Sequence, residues 1–275
     1  MIRRLTLAVA LVALCAPLAY AQSLDEVLAK HYEAQGGLDK LRALKSMRMT
    51  GKMAMGPGME APFVMEKSRP NSMRLEFTFQ GLTGVQAFDG KTGWMVMPFM
   101  GKKDPEAMPA DAMKEIEDQA DFDGPLVDWK AKGHTVELVG KEDIEGTPAF
   151  KLKVTHKNGN VDYTFIDAES YLMIRQEAKR TLHGTEMESE SSIGDYKQVD
   201  GLTFAFAMEQ GAKGSEQKQK MTIDKIELNV PFEATRFAMP AAPDTAKGDA
   251  KPAEAGGAKK PDAAKADAKK DGGKH

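Results

Sequence analysis

Apolar and polar residues alternate one by one through most of the chain, and this period of two constrains the fold more than any other feature. In the stretch SMRMTGKMAM, methionine occupies positions 47, 49, 53 and 55, with polar or small residues between them. The same alternation returns in MRLEFTF, residues 73–79. Because successive side chains of a β-strand point to opposite faces, each stretch predicts a strand with one apolar and one polar face.

Turn residues separate the alternating stretches, for example Asp89-Gly90 and Asn158-Gly159. Such pairs favour tight turns between antiparallel strands. We therefore predict a mainly β fold with a few helices, in which about eleven strands form an antiparallel meander. Within the last predicted strand, residues 221–230, the apolar positions change parity, which indicates a β-bulge near Asp224-Lys225.

Two segments have a helical period instead. The first begins with the capping box SLDE at residues 23–26 and ends at Gly36-Gly37. The second, residues 105–131, has Pro109 at a position typical of a first helical turn and predicts two short helices.

The predicted sheet is long enough to curl strongly. Its apolar inner face would be a large exposed patch, which monomers avoid unless something covers it or binds there. We expect a strongly curved half-barrel with the helices as a lid over its concave face. The predicted lid residues are Met113, Ile116, Leu126 and Trp129.

The two ends of the chain differ from the rest. Residues 1–21 contain two arginines, a short apolar run and the small-x-small motif Ala19-Tyr20-Ala21, which predicts a signal peptide cleaved after Ala21 and export to the periplasm. Residues 241–275 consist almost wholly of Ala, Lys, Asp, Gly and Pro, which predicts a disordered tail. The folded domain is expected to span residues 22–240.

Several classes of function lack support in the sequence. The net charge is −3, and the basic ends make the middle of the chain more acidic still, so nucleic acid is excluded as a partner. The motifs of serine hydrolases, zinc proteases and phosphate-binding loops do not occur, and the only cysteine, Cys15, precedes the cleavage site. We therefore predict no enzymatic activity, no cofactor and no bound metal.

Methionine is the unusual component of the predicted inner face, since all but Met1 of the 18 methionines fall within residues 22–240. Its side chain is flexible and polarizable, which suits a surface that adapts to ligands of variable shape. We predict that the concave face binds a flexible apolar ligand, although any one methionine could equally be core filler beneath the lid. The predicted lining residues are Met47, Met49, Met53, Met55, Phe63, Met65, Leu75, Phe77, Phe79, Met95, Met97, Phe204 and Phe206.

A second hypothesis concerns the turn that follows the first strand. Met53, Met55 and Met59 could bring three thioethers together, and soft thioethers select Cu(I). The alternative function is therefore a periplasmic Cu(I)-binding protein.

The order of the elements resembles a known family. The stretches that carry the likeness are HYEAQGGLDKLRALKSMRMTG, KSRPNSMRLEF, QAFDGKTGWMVMP, VELVGKEDIEGTPAFKLKV, YTFIDAESYLMIRQE, YKQVDGLTFAFAME and IELNVPFEATRFAMP. Together they are similar to the outer-membrane lipoprotein-sorting family of LolA-like periplasmic carriers. This resemblance implies an unclosed half-barrel, helices over its concave side, and acyl chains of a lipid or lipoprotein as ligand.

The expected function is that of a periplasmic binding or carrier protein for lipid or acylated ligands, linked to outer-membrane biogenesis. The expected partners are a lipid or an acylated lipoprotein and an envelope protein that donates or accepts it, with the chain itself a monomer. A lipid-sensing envelope stress protein is the alternative that shares the same binding surface.

Overall fold

The computed structural model of the protein describes residues 22–182 and 185–240. The predicted signal peptide and the predicted tail lie outside the described residues. The helices are α1 Leu24–Ala34, α2 Leu38–Ala43 and α3 Ala110–Ala120, with short 3-10 turns at Pro98–Met100 and Ala234–Arg236. The strands are β1 Ser46–Gly56, β2 Met59–Ser68, β3 Ser72–Phe79, β4 Leu82–Phe88, β5 Gly93–Met97, β6 Lys102–Ala107, β7 Thr135–Ile144, β8 Thr147–Thr155, β9 Val161–Asp167, β10 Met173–Leu182, β11 Thr185–Val199, β12 Leu202–Ala212 and β13 Gln219–Leu228.

All the described strands form one antiparallel sheet of 13 strands. Its order is β6-β5-β4-β3-β2-β1-β13-β12-β11-β10-β9-β8-β7, so the first and last strands of the chain pair at its centre. The edge strands are β6 and β7, and the sheet is not closed. The mainly β, antiparallel class is confirmed, whereas the predicted number of about eleven strands is too low.

The position of α3 shows that the sheet is strongly curved. This helix packs on Met73 and Phe88 of β3 and β4, and its Asp118 contacts His156 at the end of β8. Strands β4 and β8 are nine positions apart in the sheet, which would separate them by about 43 Å if the sheet were flat. A helix of 11 residues is only about 16 Å long. The sheet must therefore curl around α3, and the face that carries the helices is concave.

The segment predicted as two helices, residues 105–131, differs from the prediction at both of its ends. Lys102–Ala107 is strand β6, although Pro105 argues against a strand in the middle of a sheet. Because β6 is an edge strand, the missing N–H of proline costs no ladder hydrogen bond on its open side.

The predicted second helix, through Leu126 and Trp129, is replaced by a series of turns. Gly124 has a φ of +73° and is followed by Pro125, a pair that interrupts helical backbone. The Lys132 ammonium donates a hydrogen bond to the carbonyl oxygen of Gly124 at 2.8 Å and thereby holds these turns. Only the first predicted helix, α3, forms, with Pro109 as its N-cap.

Two local predictions are confirmed. The Ser23 hydroxyl accepts a hydrogen bond from the Glu26 amide, and the Glu26 carboxylate accepts one from the Ser23 amide, which completes the capping box of α1. Between β1 and β13, Thr50 pairs with Lys225 and Gly51 pairs with Ile223. Asp224 is thus the extra residue of a β-bulge, as the change in parity indicates.

The convex face of β1–β5 is covered by the segment that follows β13. Trp94 is 1% exposed, and its indole N–H donates to the carbonyl oxygen of Phe237. Glu66 is 2% exposed and accepts hydrogen bonds from Arg48 and Arg236. These contacts cover part of the convex side.

Within the two described stretches, no helix has both the length and the apolarity required to cross a lipid bilayer.

Candidate functional site

The concave face of the central strands carries a cluster of apolar side chains. Its floor consists of Met53, Ala61 and Phe63, which are at most 6% exposed. Around this floor pack seven further apolar side chains from β1, β2, β3 and β13: Met55, Met65, Leu75, Phe77, Phe79, Met221 and Ile223. We call these ten residues the groove.

Strand register explains why these residues meet. Phe63 pairs with Phe77, and Met65 pairs with both Leu75 and Met49, so that side chains of one parity stand side by side. The seven surrounding residues are only partly buried, although their strands lie well inside the sheet. An apolar surface that stays partly exposed in this position is a candidate site for an apolar ligand.

One end of the groove is bordered by the turn between β5 and β6. Phe99 lies in this turn, and its ring centroid is 5.4 Å from that of Phe77. Gly84 makes the contact possible, because a Cβ at this position would lie 2.8 Å from both rings. The sequence pattern did not predict Phe99 as a lining residue, because it follows a proline outside the alternating stretches.

A second cluster of predicted lining residues is covered. Met47 and Phe206 are at most 8% exposed and pack with Phe122, which follows α3, and with Leu44, which follows α2. Met49 and Phe204 are partly buried at the edge of this cluster. The predicted lining is thus divided between an open groove and a covered region.

Two predicted lining residues belong to neither cluster. Met95 pairs with Gln86, which pairs with Leu75, so Met95 lies on the groove side of β5. Met97, at the end of the same strand, is 6% exposed.

The lid helix α3 covers the concave face next to the groove. Ile116 and Ala120 are buried against Met73 and Phe88, with Met113 packed at the margin. Helix and sheet approach closely at Gly93, where a Cβ would lie 2.6 Å from the Met113 sulfur. The predicted lid residues Met113 and Ile116 therefore contact the sheet.

The other two predicted lid residues lie in the turns after α3. Leu126 is buried with Val27 and Leu28 of α1 against Phe150 of β8, and Trp129 packs against the same cluster. They connect the lid to α1 and lie away from the groove.

The opposite side of α3 is held by polar contacts. Asp118 is 3.5 Å from the His156 ring and accepts hydrogen bonds from the side chains of Asn158 and Asn160. His156 also donates to Asp162 at 2.8 Å, and Arg180 donates to Asp162 at 2.6 Å. We call Asp118, His156, Asp162 and Arg180 the polar clasp.

Arg180 adds a second connection to the helix, since its guanidinium donates to Glu115 of α3 at 2.9 Å. The lid is thus attached to β3–β5 by apolar packing and to β8–β10 by charged groups. Sequence reasoning missed the clasp because its residues are scattered over 63 positions, in four separate segments of the chain.

The contacts within the clasp shift the pKa values of its residues. Burial by itself would lower the pKa of His156, but hydrogen bonds to Asp118 and Asp162 outweigh burial and raise it to about 9. Burial opposes the ionisation of Asp162, yet hydrogen bonds from His156 and Arg180 hold its pKa below the ordinary value. Nearby, burial and the charge of His156 lower the pKa of His134. The clasp is therefore a charged network at neutral pH.

We expect the clasp to lose stabilising free energy as the pH rises. Folding raises the pKa of His156 above its unfolded value of 6.5, so its contribution is complete below that pH and is lost as the pH rises through about 9. The expected loss of unfolding free energy is on the order of 3 kcal/mol, measured by urea denaturation at both ends of this range.

The matched control is His156→Gln. The quantity to compare is the difference in unfolding free energy between this variant and the unmodified protein at each pH. This difference removes the effect of Lys67, whose pKa burial lowers to about 8 and which shifts stability in the opposite direction. If the variant and the unmodified protein show the same pH dependence, the proposed charge on His156 is wrong.

Two basic residues at the end of β2 hold the C-terminal end of the lid. The Lys67 ammonium donates to the carbonyl oxygen of Gln119, the penultimate residue of α3. Arg69 donates to both carboxylate oxygens of Asp123 and to the carbonyl oxygens of Leu41 and Leu44. Its guanidinium also lies 4.7 Å from the Phe122 ring centroid. The connection after α3 is thus fixed to α2 and to the sheet.

The structure offers no support for the copper hypothesis. Met53 is 6% exposed in the groove floor, whereas Met59 is 44% exposed at the tip of the first hairpin. Among the described residues, no group of three or more His, Cys, Asp and Glu side chains is arranged to hold a metal ion.

Comparison with known proteins identifies the fold. No protein-family model matches the chain, and no curated protein matches it significantly. A DUF1329 family protein from Desulfovibrio piger ATCC 29098 matches with a TM-score of 0.54 at 11% identity, over 75% of this chain and 95% of that chain.

Two further solved structures match equally well. A LolA superfamily protein from Nitrosomonas europaea has a TM-score of 0.54 and 12% identity, over 79% of this chain and 98% of that chain. An outer membrane lipoprotein-sorting protein domain from Vibrio parahaemolyticus has a TM-score of 0.54 and 11% identity, over 78% of this chain and 95% of that chain.

Fold and groove together define an open half-barrel whose concave face is partly covered by a helical lid. This fold is shared with LolA-superfamily and outer-membrane lipoprotein-sorting proteins. The resemblance noted in the sequence is therefore confirmed for the fold.

Proposed function

We propose that the protein binds the acyl chains of a lipid or of a lipid-modified protein in the groove and carries them through the periplasm without covalent chemistry. The observation that carries this proposal is the ring of partly exposed apolar side chains around the buried floor of Met53, Ala61 and Phe63. The fold shared with lipoprotein-sorting proteins is consistent with it.

The chemistry of the groove suits an acyl chain. Its side chains are flexible methionines and aromatic rings, which adapt to a ligand without fixed shape. Burial of one methylene contributes about 0.8 kcal/mol, so a chain of about sixteen carbons gains on the order of 12 kcal/mol before the costs of ordering. A groove that buries only part of a chain therefore holds it.

The lid controls how much apolar surface a ligand meets. Leu75 packs both with the groove and with the cluster under α3, so the two surfaces are continuous. Movement of α3 away from Met73 and Phe88 would extend the groove beneath the lid. We propose that uptake and release of long chains involve this movement.

The remaining parts of the proposal follow from the sequence. Cleavage after Ala21 would release a mature monomer that begins at Gln22 in the periplasm, where it would exchange its ligand with an envelope donor or acceptor protein. Carriage is favoured over lipid sensing because the lid provides a route for release.

The test is a titration of the mature protein, residues 22–275, with a long-chain fatty acid that carries an environment-sensitive fluorophore. We expect saturable binding of about one probe per protein and competition by unlabelled phospholipid. Fluorescence that does not saturate, or binding that phospholipid does not compete, would contradict the proposal.

A further inference from the structure

Among the described residues, four of the seven exposed large apolar side chains lie on three neighbouring turns at one end of the sheet. In a meander, alternate turns lie at the same end, and the hairpins β1–β2, β3–β4 and β5–β6 are neighbours in the sheet order. Their turns carry Met59, Leu82, Phe99 and Met100, which we call the hairpin rim. Adjacent strands are about 4.8 Å apart, so neighbouring tips are about 10 Å apart.

The rim residues are exposed to a degree that is unusual for their size. Met59 is 44% exposed, Leu82 is 43%, Phe99 is 38% and Met100 is 70%. Single exposed apolar residues need no explanation, but several on adjacent turns form a contiguous patch, and such patches mark interaction sites.

The charges beside the rim indicate what it contacts. The three turns, residues 56–59, 79–83 and 97–103, contain no acidic residue, although the chain as a whole is acidic. Lys102 and Lys103 follow Gly101. Lys102 forms an ion pair with Glu106 at 2.6 Å, whereas Lys103 is exposed. Apolar side chains with adjacent lysines are typical of proteins that insert into the interface of an anionic membrane.

The rim is also continuous with the groove, since the Phe99 ring packs against the Phe77 ring. A membrane in contact with the rim would therefore lie at the end of the groove that Phe99 borders. Tips on separate turns can enter a fluid headgroup layer independently, whereas a folded protein partner would need a matching rigid surface. These features favour a membrane over a protein as the occupant of the rim.

We propose that the hairpin rim docks on the surface of a bilayer that contains anionic phospholipid and brings the groove to the lipid. This proposal deepens the proposed function and rests on it, because it names where the groove meets its ligand.

The test is flotation of the mature protein with unilamellar vesicles of phosphatidylethanolamine with about one quarter phosphatidylglycerol, compared with vesicles of phosphatidylcholine alone. We expect flotation with the anionic vesicles, and a reduction of at least about tenfold in the double variant Leu82→Glu/Met100→Glu. The matched control is Val139→Glu, because Val139 is 55% exposed on β7, the opposite edge strand. This control should float like the unmodified protein.

Two outcomes would overturn the proposal: no flotation of the unmodified protein, or equal loss of flotation in the rim variant and in Val139→Glu. The first would favour a protein partner for the rim. The fluorescent fatty-acid titration separates this proposal from the proposed function. If the probe binds but the protein does not float, only membrane docking is wrong, and if the probe does not bind, the groove assignment fails whatever the flotation shows.

Discussion

Replacement of Phe77 by glutamate should abolish acyl-chain binding. Phe77 lies on the groove side of β3 and packs with Phe63 and Phe99. In the empty protein the new carboxylate can reach water, because Phe77 is only partly buried. An acyl chain in the groove would remove that water and leave the charge without a partner, at a cost of several kcal/mol. We expect the affinity for the fluorescent fatty acid to fall by at least about 100-fold.

The neighbouring residue provides the matched control. Thr78 precedes Phe79 in the same strand and points to the opposite face, where its hydroxyl contacts that of Thr83. Thr78→Glu adds the same charge one position away and should bind the probe normally. Phe77→Leu keeps an apolar side chain and should retain most of the affinity. If Phe77→Glu and Thr78→Glu bind the probe equally well, the groove is not the binding site.

Removal of the Asp162 carboxylate should cost the protein about 3–5 kcal/mol of unfolding free energy. Asp162 is 2% exposed and accepts hydrogen bonds from His156, Arg180 and Gln176. Asp162→Ala would leave His156 with Asp118 alone and Arg180 with Glu115 alone. Removal of one partner from a buried charged network is far more costly than the loss of a surface ion pair. Urea denaturation at neutral pH, followed by the fluorescence of the buried Trp94, measures the effect.

Glu137→Ala is the control for this experiment. Glu137 is 57% exposed, and its carboxylate lies 3.8 Å from the Lys153 ammonium, so the pair contributes at most about 1 kcal/mol. The expected ranking is a large loss for Asp162→Ala and a small one for Glu137→Ala. A loss below about 1 kcal/mol for Asp162→Ala would show that the polar clasp does not stabilise the fold.

The architecture could be predicted because one local rule holds over most of the chain. Alternation in the first strand predicts that Met47, Met49 and Met53 share one face. Their pairing with β2 and β13 places them on the same face of the sheet. The bulge at Asp224 was visible as a change of parity. Edge strand β6 was missed because the rule that proline interrupts strands applies to interior strands, and the sequence does not reveal which strand lies at an edge.

The division of the lining into open and covered parts could not be predicted. Met47 and Met55 belong to the same strand and have the same parity, yet Met47 is buried under Phe122 while Met55 is partly exposed in the groove. The difference arises from a segment more than sixty residues away in the chain. The polar clasp was missed for the same reason, since His156 and Asp118 acquire their roles only when the sheet curls.

Native mass spectrometry of the full protein, purified from a periplasmic extract without detergent, tests whether the groove holds acyl chains. We expect a mass increment that corresponds to phospholipid or to an acylated peptide, and loss of that increment in Phe77→Glu but not in Thr78→Glu. A single mass for the ligand-free protein, unchanged after incubation with phospholipid vesicles, would show that the groove does not bind lipid.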